Sequence, residues 1–244
     1  LVTHQFDREL NVCKEFPIPK GWTRYRGLDH GNTNPSACVW GAVNPEGFLF
    51  IYKVLKAVFP SPRHFAIAVV EASGNERYLI DEVDDGHSIQ KIYEEGFSGE
   101  EYADSVLDSR SFGSKRDEGI LGEFYNECGM YVTRASGKHD ATMVPIMNDW
   151  LRHDIELKHP LTGKQGAPRC MIMDNCLDLV FELEALVHKS TAVEKNASED
   201  INKKDDHLFD SMKYLIGCNP SYMGSDYMDP HEEPKSGNST FTGY

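Results

Sequence analysis

The apolar positions of the chain follow two regimes. Between residues 24 and 55 they come in short, β-rich runs broken by turn formers. Residues 24–29 lead into His30-Gly31-Asn32-Thr33-Asn34-Pro35, a dense turn cluster. Residues 37–43 and 48–55 form two further runs, parted by Asn44-Pro45-Glu46-Gly47. Three short strands joined by turns predict an antiparallel meander. The spacing then predicts an amphipathic helix over 64–73, stopped at Gly74. The stretch 76–102 is acidic and Gly-containing, with Asp81-Glu82 and Asp84-Asp85-Gly86, and predicts an irregular insertion holding one or two short helices. Beyond it strands and helices alternate: a strand over 103–107 ending at Asp108, a helix over 115–128 closed by Gly129, and a strand over 130–134. A helix over 142–153, a buried strand over 170–173 and a helix over 176–189 follow. After a polar linker (191–204) the last helix spans 206–216. Residues 217–244, rich in Gly, Pro, Ser and Asn, predict a flexible tail. Hairpin strands first and alternation afterwards predict an α/β domain over 1–216. Its sheet is mixed, an antiparallel meander plus parallel strands, flanked by helices.

Composition narrows the function classes. Lys+Arg 25 against Asp+Glu 39 leaves a net charge of −14, which argues against a protein that coats nucleic acid or lies on an anionic membrane. An enzyme that touches nucleic acid through a local basic patch stays open. No run of 18 apolar residues occurs, so no membrane span or membrane partner is expected. The six cysteines form no CxxC pair, which argues against structural zinc and fits reduced thiols in a reducing cytosol. The sequence opens on Leu1 without a signal peptide and reads as a piece of a longer protein. Nothing matches GxxxxGK[ST], so a nucleotide-driven motor is expected outside these residues.

Three acids stand out by position. Asp29 ends the first strand before a Gly-Asn turn, Asp108 ends a later strand, and Asp210 lies within the final helix. On that helix Asp206 and Asp210 are four apart and share a face, with His207 between them. Carboxylates gathered at one sheet edge repel unless a divalent cation neutralises them, and oxygen-only ligation suits Mg²⁺ or Mn²⁺. Plainer roles compete at each position. Asp29 suits a turn, Asp108 a helix cap, Asp206 an N-cap, and His207 packing. Lys115, Arg116, Lys138, Lys164 and Arg169 are candidate DNA-phosphate contacts, and equally solvated surface cations.

The run Trp22-Thr23-Arg24-Tyr25-Arg26-Gly27-Leu28-Asp29-His30-Gly31, followed by Asn34-Pro35-Ser36-Ala37-Cys38-Val39-Trp40, resembles the opening of phage large terminase nuclease domains. Asp206-His207-Leu208-Phe209-Asp210-Ser211-Met212-Lys213-Tyr214 is similar to that family's closing helix, and Asp108 with the unit up to Val132 to its second catalytic strand. The resemblance covers about residues 15–216. It implies an RNase H-like fold and a two-ion endonuclease, using Mg²⁺ or Mn²⁺, that cuts concatemeric viral double-stranded DNA during genome packaging. It implies Asp29, Asp108 and Asp210 as catalytic metal ligands, Asp206 beside them at the metal, and His207 next to the ligands. It also implies an N-terminal ATPase, a portal protein and a small terminase subunit as partners, and work in the host cytoplasm at the procapsid packaging vertex. Ser109 stands where the family commonly has Pro, and Asp81, Asp84 and Asp85 compete with Asp108 for the middle position. Two other readings are a non-catalytic docking module of a packaging motor and an RNase H-like resolvase.

Overall fold

The computed structural model describes residues 2–31, 34–74, 100–112, 121–127, 130–136, 140–186 and 205–224, with the backbone of 77–83 and 86–92. The chain begins with α1 (Arg8–Asn11) and β1 (Val12–Cys13), then β2 (Thr23–Asp29), β3 (Ser36–Val43) and β4 (Leu49–Ala57). Next come α2 (Pro62–Ala72), β5 (Arg77–Val83), β6 (Gly86–Ile92), β7 (Asp104–Leu107) and a 3-10 turn at Ser109–Phe112. The second half holds α3 (Leu121–Glu127), β8 (Thr133–Arg134), α4 (Asp140–Leu151), β9 (His153–Lys158) and β10 (Gln165–Pro168). It closes with β11 (Cys170–Met173), α5 (Leu177–Ala185) and α6 (His207–Gly217).

Seven strands form one sheet in the order β1-β11-β4-β3-β2-β7-β8. The meander β2-β3-β4 is antiparallel, and its two outer strands accept parallel neighbours, β7 on β2 and β11 on β4. The sheet is therefore mixed, as the change of pattern along the chain predicts. Its central strands are covered on both faces: the seven residues of β2 and the eight of β3 are all buried. Met147, Leu179, Leu183, Phe209, Met212 and Leu215 of α4, α5 and α6 cover one side together with Tyr25, Val39 and Ile51. Phe65 and Val69 of α2 and Tyr125 of α3 cover the other with Leu28, Trp40 and Leu107. Alternate residues of β2 and β3 thus feed two separate cores, and Phe50 of β4 joins Met171 of β11 in a third, smaller one.

The structure departs from expectation in four places. Within 76–102 the described backbone is a β5–β6 hairpin, not short helices, with Arg77 opposite Ile92 and Val83 opposite Gly86. The β-formers Tyr78-Leu79-Ile80 outweigh the acidic composition there. The helix expected over 142–153 ends at Leu151, because His153 opens β9, which pairs with β10 in a hairpin that the sequence reading lacks. The strand expected over 130–134 shrinks to β8. Residues beyond Gly217 do not fray at once: Tyr25 donates its hydroxyl to the Ser221 carbonyl at 2.8 Å, and the Met223 amide reaches Thr23 Oγ1 at 2.9 Å. Lys115, Arg116, Lys138, Asp84, Asp85, the side chain of Asp81, the linker 191–204 and the tail from 225 lie outside the described residues.

Candidate active site

Tyr25, Gly27 and Asp29 point to the same side of β2, beneath α6, which runs back along the strand. A Cβ on Gly27 would overlap the Ser211 carbonyl oxygen and lie 2.9 Å from Leu215 Cβ, so only glycine lets the helix approach this closely. The descent of α6 onto β2 then lays His207 over the strand end, where its Nδ1 stands 3.1 Å from Asp29 Oδ2. Asp29 is not the turn aspartate of the following loop: Ser36 Oγ bonds Gly31 instead, at 3.2 Å from its amide.

Asp108 follows β7, the parallel neighbour of β2, and its amide donates to the Leu28 carbonyl at 3.3 Å. The two strand-end acids are therefore adjacent. The Asp108 carboxylate accepts Arg110 Nε at 3.0 Å and the Tyr214 hydroxyl at 3.4 Å. Asp210 faces the same edge from the first turns of α6 and is bonded by Lys213 Nζ, which also donates to Asp140 Oδ1 of α4 at 2.7 Å. Asp206 occupies the N-cap position of α6, but its side chain makes no capping bond; its carbonyl accepts the Asp210 amide at 2.8 Å. Asp29, Asp108, Asp206 and Asp210 are all buried.

The acids share one electrostatic field. Burial pushes the Asp29 carboxyl above its usual range, and the charges of Asp210 and Asp108 add to that push against the opposing bond from His207. The bond to Asp29 pulls His207 above the ordinary imidazole value, burial opposes it, and the charges of Asp29, Asp206 and Glu182 support it. Burial, then Asp210, Asp29 and Asp108, drive the Tyr214 phenol up. Four acids and one imidazole on two strand ends and one helix turn supply the oxygen-rich donors that suit Mg²⁺ or Mn²⁺. As placed, no group of three or more His, Cys, Asp or Glu side chains among the described residues is close enough to hold one ion. Asp29, Asp108 and Asp210 are each turned onto a partner, His207, Arg110 and Lys213 respectively. The donor chemistry suits a divalent ion, and shared ligation would require those side chains to rotate.

The candidate cations Lys164 and Arg169 flank β10 instead of sharing one loop before β11. The Leu49 amide donates to the Arg169 carbonyl at 2.9 Å, Leu49 pairs with Val43, and Val43 with Thr23. Arg169 therefore sits at the end of the sheet where β2 begins, offset from Asp29 by about 20 Å along the strand direction at ~3.3 Å per residue and further by the width of two strands. Lys164 lies on the exposed β9–β10 turn, its carbonyl accepting the His159 amide at 2.8 Å. Sequence reasoning missed Lys213, Tyr214 and Arg110. Lys213 and Tyr214 were within reach of it, since positions three and four after Asp210 share its helix face.

No protein-family model matches the sequence, and no curated protein does. Solved structures do match in fold. The nuclease domain of the phage P22 large terminase superposes with a TM-score of 0.59 at 14% identity, over 89% of this chain and 91% of that one. The large terminase of a thermophilic bacteriophage gives 0.62 at 13% identity, over 89% of this chain but 44% of that one, so the chain spans less than half of that protein. The large terminase nuclease of thermophilic phage G20c, a structure with bound cobalt, gives 0.52 at 11% identity over 88% and 95%. The chain has the RNase H-like fold of phage large terminase nuclease domains.

Proposed function

We propose that the chain is a metal-dependent endonuclease domain that cuts concatemeric viral double-stranded DNA during genome packaging. The observation that carries this is the meeting of Asp29 and Asp108 on adjacent strand ends beneath Asp210 and His207 of α6. The fold shared with terminase nuclease domains adds support. In this reading Asp29, Asp108 and Asp210, with Asp206 beside them, hold the ions. When bound, a pair of Mg²⁺ or Mn²⁺ ions supplies an activated water and neutralises the leaving oxygen of the phosphodiester. His207 holds Asp29, Arg110 and Tyr214 hold Asp108, and Lys213 ties Asp210 to Asp140 of α4; ligation by these carboxylates would turn them away from those partners. Lys115, Arg116, Lys164 and Arg169 are proposed to touch DNA phosphates, Arg169 at a flank away from the cut. The domain would work in the host cytoplasm at the procapsid packaging vertex, next to an ATPase motor, a portal protein and a small terminase subunit.

Plasmid nicking by the purified protein with Mg²⁺ or Mn²⁺ tests the reading. Asp29→Ala should lower the rate more than about a hundredfold, because the remaining acids cannot hold both ions in place. Equal cutting by wild type and variant, or none by either with both metals, sinks it. A second reading, a docking module that keeps the nuclease core without the chemistry, is favoured by the seating of Lys213 on Asp210. It predicts no Mn²⁺ binding that depends on Asp29 and Asp210 together.

A further inference from the structure

One buried carboxylate near this edge belongs to none of the roles above. Glu182 lies in the middle of α5, 5% exposed, on the apolar side of that helix with Leu179 and Leu183. Its Oε2 accepts the backbone amide of Phe209 at 2.9 Å, and its Oε1 accepts Lys56 Nζ at 2.8 Å. The first amides of any helix need acceptors from outside it. In α6 the N-cap Asp206 gives no side-chain bond to them, and Glu182 reaches in from a neighbouring helix to supply one. Its negative charge also suits the positive end of the helix dipole.

The bond path closes on the candidate site. Lys56 of β4 pairs with Ala37 of β3, and Ala37 with Asp29 of β2, so Lys56 and Asp29 stand level on the sheet. From Lys56 the path crosses to Glu182 and then to Phe209 in the first turn of α6. It returns to the sheet through His207, which bonds Asp29. We infer that Glu182 is a positioning residue: it fixes the first turn of α6, and with it the Asp210 carboxylate and the His207 imidazole, relative to Asp29. The inference rests on the reading of Asp29 and Asp210 as metal ligands. Stability alone is a weak reason for such a group, since a buried ion pair can often be replaced by apolar side chains of similar volume without loss.

Mn²⁺ binding to the folded protein, read from the loss of the free-ion electron paramagnetic resonance signal, provides the test. Glu182→Met should weaken binding by about tenfold or more, while Glu182→Gln, which retains one acceptor oxygen for the Phe209 amide and gives up the one facing Lys56, stays within about threefold of wild type. A role confined to stability would instead lower the melting temperature and leave the affinity of the folded protein unchanged; that result overturns the inference, as does equal loss in both variants. If Glu182→Met does not fold, Glu182→Asp decides, because it keeps the charge beside Lys56 but draws the acceptor back from the Phe209 amide. A loss of at least about threefold is expected there, and wild-type affinity overturns the inference. Binding that Asp29→Ala abolishes but the Glu182 variants keep defeats this inference alone. Wild-type protein that binds no Mn²⁺ defeats the metal-site reading and this inference with it.

Discussion

Asp29 and His207 both hold their protons more tightly in the folded chain, for different reasons. Burial and two neighbouring acids do it to Asp29; the bond to Asp29 does it to His207. A group whose folded pKa is raised contributes stability that is fully present below its unfolded value and is lost as pH rises through the folded one. For His207 that window opens at the ordinary imidazole value of about 6.5 and extends upward. The His207 ring should therefore titrate above about 6.5 by NMR, and Asp29→Asn should bring it down. The melting temperature should fall as pH rises above about 6.5, less steeply in His207→Gln. A ring that titrates below the ordinary value in the wild-type protein contradicts this account. Lys213 illustrates what a residue-by-residue reading misses. Its place on the Asp210 face follows from helix geometry, but its second anchor, Asp140, is 73 residues away and meets it only when α4 packs on α6.

The close approach of α6 to β2 is the sharpest constraint among the elements. Gly27→Ala should destabilise the fold by about 1–3 kcal/mol or more, since the new methyl meets backbone that cannot swing aside. Urea unfolding measures it, and a change below about 0.5 kcal/mol would mean that the helix lifts without cost. The same variant should weaken metal binding, because His207 and Asp210 ride on the helix that is displaced. Elements with a strong, self-contained period were legible in the sequence. Residues 170–173 form β11 as expected, and the last helix differs from expectation by one residue at each end. The β9–β10 hairpin was not legible. Its strand β9 is exposed or half-exposed throughout and carries no buried alternation. The β5–β6 pairing was hidden for a related reason, the acidic residues of that stretch masking the β-formers between them.

Across the whole molecule, charge opposes the activity proposed for it. With a net charge of −14, the protein should bind duplex DNA no tighter than the non-specific range, a Kd of about 1 μM or weaker at physiological salt. Fluorescence anisotropy reads this directly, and nanomolar binding by this chain would show a basic surface that the described cations do not form. Of the candidate site, the strand-end acids and the Asp-His-Asp helix were legible because each sits at an element boundary or on a definable helix face. The ring of partners around them was not, because it is built from pairs such as Lys213–Asp140 and Glu182–Phe209 that only the folded chain brings together.

The order in which the site's parts occur along the chain also sets when it can exist. Asp29 and Asp108 lie on early strands, whereas His207 and Asp210 belong to the last described helix, 178 residues after Asp29 in the case of the His207 contact. Contacts of such separation are among the slowest to form during folding. A polypeptide still emerging from the ribosome can complete its sheet while the proposed ligand set stays open. Synthesis itself then imposes a delay: the proposed ligand set is complete only after α6 has been made and has packed on β2.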